Sequence, residues 1–282
     1  MCSSTFGARV KASGGGSLSG IGMGKKVFLH SYEEIISMEN LLEAWQEFSL
    51  GKTSKKDVEE FAFDLMANLF SLHDRLVAMT YRHESYEAFT VFDPKTRSIH
   101  KASVIDRVLH RAVYRKLYPF FDRTFIADSF SCRVGKGTHK ALDRFRTFAG
   151  KASHNHQKTA WVLKCDIRKF FASIDHAVLI EIVDSRIADK RIVSLLGEII
   201  GSFEANKPGV GLPLGNLTSQ LLANVYMNEF DQFVKHFLQV KYYVRYADDF
   251  VFLSYDRLFL EAVLSLVTQF LQQRLRLTLH PD

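Results

Sequence analysis

Residues 242–254 read Tyr-Tyr-Val-Arg-Tyr-Ala-Asp-Asp-Phe-Val-Phe-Leu-Ser, two β-prone runs that meet at an Ala-Asp-Asp turn. The aromatic and β-branched flanks predict a tight hairpin with Asp248 and Asp249 at its bend. Two adjacent carboxylates on an apolar hairpin are costly, because each raises the other's pKa and resists loss of water. Asp-Asp is also an ordinary turn dipeptide, so the pair needs company before it carries chemistry. Ala160-Trp-Val-Leu-Lys-Cys-Asp166 supplies it as a buried strand ending in a third acid. A hard divalent cation such as Mg²⁺ takes oxygen ligands and is commonly held by one or two carboxylates plus substrate phosphates.

Upstream, apolar residues recur at helical spacing from about Ser37 to Leu76, interrupted by Gly51-Lys-Thr-Ser54, with Ser54 as a candidate N-cap. The stretch from Phe89 to Ile99 predicts a hairpin around an Asp-Pro turn, with Lys95 and Arg97 at or beside the tip. Val104 to Leu117 predicts a helix on which Arg107, Arg111 and Arg115 form a basic ridge, either a solvated face or a contact for a nucleic-acid backbone. A helical stretch spans about Ala177 to Ile200. The Gly209–Gly215 loop is followed by a long helix capped at Asn216 or Thr218, with a stripe of Leu222, Val225, Phe230, Phe233 and Phe237. A last amphipathic helix covers about Leu258 to Arg274, and Leu275 to Leu279 starts another strand.

With 282 residues, 47% of them apolar, the chain is long enough for a large core, which excludes a disordered or stapled mini-protein. A net charge of +6 mildly favours a polyanionic partner. Cys2, Cys132 and Cys165 stand too far apart for a Cys-x-x-Cys site, and Cys132 and Cys165 are read as packing residues. His154 and His156 lack zinc spacing, and Asp175-His176 after Ser173 lacks the separated supports of a nucleophile site. No apolar run reaches the roughly 18–20 residues that span a bilayer, and no signal peptide opens the chain; a cytoplasmic protein without a membrane partner is expected.

Tyr246-Ala-Asp-Asp249 resembles the Tyr-x-Asp-Asp box of reverse transcriptases, and Asp166-Ile-Arg-Lys-Phe-Phe171 is similar to their first catalytic motif. Gly215-Asn-Leu-Thr-Ser219 resembles the head of their template-supporting helix, and Ser129-Phe-Ser-Cys-Arg-Val-Gly-Lys-Gly137 a fingers motif of group II intron-type enzymes. Lys95 and Arg97 match the basic pair of the fingers hairpin. The resemblance runs from about Phe89 to Asp282 in the family's motif order. It implies an α+β fold: a right-hand polymerase palm on a small antiparallel sheet, preceded by a fingers lobe. The expected division is a disordered Gly/Ser-rich tail (1–27), N-terminal helices and fingers (28–160) and a palm (161–282). Leu277 to Asp282 resembles the late palm, so the palm is expected to be C-terminally truncated, with the thumb absent and primer–template binding weak.

The same resemblance implies RNA-directed DNA synthesis from dNTPs on a DNA or RNA primer, with two Mg²⁺ ions that Mn²⁺ can replace. Asp166, Asp248 and Asp249 become the catalytic acids, and Asp166, Ile167, Asp248 and Asp249 the metal set. Lys95, Arg97, Arg133, Phe171 and Gly215 face the nucleotide, with Arg97 and Arg133 as triphosphate clamps and Phe171 as a gate against the 2′-hydroxyl. Leu214, Ser219, Gln220 and Tyr246 support template and primer. Leu214-Gly-x-x-x-Ser-Gln220 in place of the commoner Gln-Gly form is similar to the diversity-generating retroelement branch, which implies a structured RNA and a basic accessory protein as partners. Two other readings stay open, an RNA-dependent RNA polymerase and a catalytically impaired palm-fold nucleic-acid-binding or phage-defence protein.

Overall fold

The computed structural model describes residues 27–93 and 95–281. The expected Gly/Ser-rich tail therefore lies outside the described residues except for Val27, as do Cys2, Pro94 and Asp282 and the side chain of Lys95.

Four helices open the described chain: α1 (Tyr32–Ile36), α2 (Met38–Ser49), α3 (Lys56–Phe63) and α4 (Leu65–Val77). Ser31 and Glu34 close a capping box on α1, and the Ser37 hydroxyl accepts from the Asn40 amide to start α2. Ser54 does not cap α3, which begins after Lys55 without a side-chain cap. The expected hairpin forms from β1 (Glu87–Asp93) and β2 (Lys95–Lys101), with Val91 paired to Arg97. Helix α5 (Val104–Asp122) is capped by Ser103 and runs past the expected end at Leu117, through Pro119.

Helix α5 packs along α2, and this decides the basic ridge. Arg107 reaches Asp57, Arg111 reaches Glu47, and Arg115 reaches Glu43 and Glu47. All three arginines are mostly buried against acids from α2 and the start of α3, so the ridge is neither of the surfaces expected from the sequence. It is an interface inside the protein.

The second half begins with α6 (Thr138–Ala152) and β3 (Trp161–Cys165), followed by α7 (Phe170–Ser173), α8 (His176–Asp184) and α9 (Lys190–Gly201). The single helix expected over 177–200 is thus two, broken at Ser185–Asp189, where the Asp189 carboxylate accepts from the Arg191 amide to start α9. Helix α10 (Leu217–Gln232) follows, then β4 (Tyr243–Tyr246), β5 (Asp249–Ser254) and α11 (Arg257–Leu275). Helix α10 is buried nearly all round rather than along one stripe, and a π-helical turn replaces it at Phe233–Phe237, leaving Phe237 exposed. Asn216 occupies its N-cap position but makes no side-chain cap bond.

The palm sheet is antiparallel in the order β3-β5-β4. Alternation along its strands sorts two cores: Tyr243, Phe250 and Phe252 join the main core with α10 and α11, while Val244 and Leu253 pack on Phe148 of α6. Strand β3 is an edge strand, more exposed than the buried strand expected from its composition. Main chain covers the β4 edge, where Ser129 bridges Arg245, and Leu279 bridges Ile167 just beyond β3. The strand expected over 275–279 is reduced to this bridge, because α11 continues to Leu275.

Candidate active site

The sheet register brings the acids together. Cys165 pairs with Phe250 and Tyr246 with Asp249, so Asp166 leaves β3 beside the β4–β5 turn. That turn is a two-residue loop in which Ala247 holds a left-handed φ of +56°. Asp248 is largely buried and its carboxyl is raised above the ordinary range, first by burial and then by the charges of Asp166 and Asp249; Arg97 of the fingers hairpin opposes the rise. Asp249 is more exposed and lies 3.7 Å from the Lys164 ammonium.

Ile167 forms the non-hydrogen-bonded position opposite Leu279. The flanking bonds run from the Arg168 amide to the Thr278 carbonyl and from the His280 amide to the Asp166 carbonyl. The carbonyl of Ile167 consequently points away from the 278–280 segment. Its side chain is buried and apolar, so only that carbonyl is available as an oxygen ligand.

Do these residues fit a divalent cation? Among the described residues no group of three His, Cys, Asp or Glu side chains forms a finished cage. The donor chemistry does fit: Asp248 faces repulsion from two neighbouring carboxylates that a backbone hydrogen bond and Arg97 only partly offset, and a hard dication would remove it. Mg²⁺ in particular needs only one or two carboxylates when substrate phosphates complete its shell.

A narrow slot opens beside the turn, lined by Ser131, Cys132, Phe170, Phe171, Gln220, Ala223, Asn224, Arg245 and Ala247. Phe170 is turned into the core at 3% exposure, and Phe171 lines the slot edge-on to it. Gln220 projects from the first turn of α10, whereas Ser219 is buried behind it. The Leu214 carbonyl accepts from the His100 amide, and a side chain at Gly215 would meet Ile99 at 3.0 Å. These two contacts seat the hairpin carrying Arg97 over the acids. The Tyr246 hydroxyl accepts from Thr138 at the head of α6.

Arg133 corrects the expectation of a second clamp. Its guanidinium is only 6% exposed and bonds the Asp122 carboxylate at 2.7 Å. Its remaining donors go to the carbonyls of Ile126, Ser129 and Asp122. These four bonds hold Arg133 in the loop after α5, with its guanidinium buried there rather than free beside the acids. Cys132 is likewise not a packing residue; it is exposed on the slot wall. Asp175 caps α8 and pairs with Arg276, and His176 bonds the Gly211 carbonyl, so neither belongs to a nucleophile site.

Residues 87–282 match the family Reverse transcriptase (RNA-dependent DNA polymerase). This chain belongs to the reverse transcriptase family. Among similar proteins, Protein YkfC of Escherichia coli is 28% identical over 60% of this chain and 46% of its own length. The group II intron-encoded protein LtrA of Lactococcus lactis subsp. cremoris is 28% identical over 52% of this chain and 24% of its own length. A solved structure described as a partial Cas6-RT-Cas1–Cas2 complex matches 86% of this chain and 42% of that one, at 20% identity and a TM-score of 0.49. The chain spans less than half the length of each. No helix of the described residues is long and apolar enough to cross a membrane.

The support under the turn was not among the residues expected at the site. Arg245 is fully buried on the α10 side of β4, where it forks onto Asp231 at 2.8 and 2.7 Å. The signal was available: a lone arginine in an apolar strand and a lone aspartate on a buried helix each need a partner.

Proposed function

We propose that this domain carries out template-directed DNA synthesis on RNA, adding dNTPs to a primer 3′-hydroxyl with release of pyrophosphate. The observation that carries the reading is Asp248, a largely buried carboxylate crowded by Asp166 and Asp249, next in sequence to the slot-lining Ala247. Asp166 and Asp248, with the Ile167 carbonyl, would hold Mg²⁺ or Mn²⁺, and Asp249 contributes negative charge at the outer side. When bound, two such ions favour formation of the attacking alkoxide and stabilise the leaving pyrophosphate.

The chain's own groups do the rest. Arg97 stands on a hairpin seated over the acids, where its guanidinium suits triphosphate oxygens. Phe171 occupies one wall of the slot and excludes a 2′-hydroxyl from the sugar position. Lys95 begins the same strand as Arg97 and is the second cation expected for the triphosphate. Gly215 and Leu214 form the turn at the hairpin's seat. Gln220 meets the nascent pair from α10, Ser219 packs behind it, and Tyr246 borders the primer terminus. Leu214 in place of a glutamine fits the diversity-generating branch, with misincorporation opposite template adenines, a structured RNA and a basic accessory protein.

Primer extension on an RNA template tests the reading. The expected result is Mg²⁺-dependent dNTP incorporation that falls below about 1% when Asp248→Asn and Asp249→Asn are combined. Undiminished incorporation by that variant would refute it, and a preference for rNTPs would point to an RNA polymerase.

A further inference from the structure

A guanidinium buried to 1% exposure is expensive unless each of its donors is used. Here Nε and Nη2 fork onto the two oxygens of Asp231, and the Tyr243 hydroxyl donates to the same carboxylate at 2.7 Å. Nη1 faces the Asn224 side-chain oxygen at 3.3 Å and donates to the Ala247 carbonyl at 2.9 Å. The last bond matters most, because Ala247 is the loop residue with φ of +56° and its carbonyl belongs to the peptide that enters Asp248. An alanine in the left-handed region costs about 1 kcal/mol, so the loop relaxes unless something holds it.

We infer that Arg245, oriented by Asp231, is a positioning residue that clamps the Ala247 carbonyl and so presents Asp248 to the metal. This rests on the reading of Asp248 as a metal ligand. Fold stability is a poor explanation for the pair, since replacing a buried ion pair with neutral groups of similar volume is often harmless. Nor does the side chain attach β4 to the fingers. That attachment is made by main-chain bonds, from the Arg245 amide to the Asp128 carbonyl and from the Phe130 amide to the Arg245 carbonyl. Side-chain substitution therefore leaves the attachment of β4 to the fingers in place. Lysine retains the charge but, as a single ammonium, does not reproduce the fork to Asp231 together with the bond to Ala247.

The test uses the whole chain, Arg245→Lys, and a double variant joining Arg245→Met to Asp231→Asn, which keeps an acceptor for Tyr243. Thermal unfolding is followed alongside Mn²⁺ binding by electron paramagnetic resonance without nucleic acid, and the Mg²⁺ dependence of primer extension. The expected result is folded variants whose Mn²⁺ dissociation constant rises at least about 10-fold, with the dNTP KM within about twofold of wild type. Folded variants that bind Mn²⁺ within about twofold of wild type would overturn the positioning role alone, and unfolding of both variants would overturn it in favour of a structural one. Absence of Mn²⁺ binding by the unaltered chain, or its full retention in Asp248→Asn, would instead remove the metal reading beneath it.

Discussion

Phe170 and Phe171 are chemically identical neighbours that differ in exposure. Phe170 is buried in the main core and Phe171 is only half-buried against it, while both line the slot beside Gln220 and Ala247. Their separation follows from α7, whose short turn points successive side chains in different directions. Phe171→Ala is expected to raise the rNTP-to-dNTP ratio of kcat/KM by roughly 10- to 100-fold with little loss of stability. Steady-state incorporation of matched dNTP and rNTP pairs checks this, and an unchanged ratio would return Phe171 to a packing role. At the same scale the aspartates were legible, because adjacent carboxylates on an apolar hairpin demand compensation. The state of Arg133 was not, because a motif names a residue type and leaves open whether its donors are consumed by Asp122 and three carbonyls.

The hairpin of β1 and β2 is the element that joins the fingers to the acids, and it was readable from its two β-prone runs and Asp-Pro turn. Its seat was not. The His100 amide bonds the Leu214 carbonyl, and Gly215, at φ +109°, lets Ile99 approach where a Cβ would lie at 3.0 Å. Gly215→Ala brings both a strained backbone and a crowded contact. It is expected to cost about 1–3 kcal/mol and to raise the dNTP KM by displacing Arg97. Thermal unfolding and nucleotide titration measure the two effects, and an unchanged KM in a destabilised protein would separate the hairpin seat from nucleotide binding. The arginine ridge of α5 makes the complementary point: its acidic partners lie 50 and 72 positions away, beyond any local pattern.

Across the whole molecule, the hairpin's base is tied to the helical core through a buried polar cluster. Asp106 accepts from Tyr81, Ser103 and the Glu84 amide, His83 stacks on Tyr86 and His110, and Tyr86 contacts Ser202. His110 has no hydrogen-bond partner for either ring nitrogen among the described residues. Burial, with smaller contributions from His83 and Arg107, depresses its pKa from 6.5 to about 3. A depressed folded-state value means the unfolded chain binds the extra proton. The stability associated with neutral His110 is therefore complete above pH 6.5 and is lost as pH falls towards about 3. Between those limits the stability gap between the wild type and His110→Leu should shift by about 1.4 kcal/mol per pH unit, in favour of the variant at low pH. Urea unfolding of both proteins across that range checks the slope, and parallel profiles would refute it.

What the sequence determined by itself were the things that depend on neighbours along the chain. They are the two hairpins from their period-two runs, most helices from their apolar spacing, the palm acids from their unaffordable proximity, and the order of motifs that marks the family. Helix boundaries failed where a cap or break depended on local hydrogen bonds, as at Ser54 and at Ser185–Asp189. Only the tertiary structure decided which polar groups meet: Arg133 with Asp122, the α5 arginines with α2 and the start of α3, and Arg245 with Asp231 beneath the Ala247–Asp248 turn. The physical reason is that a charge is chemically available only after every nearer partner has been satisfied, and those partners are assembled by packing between distant segments.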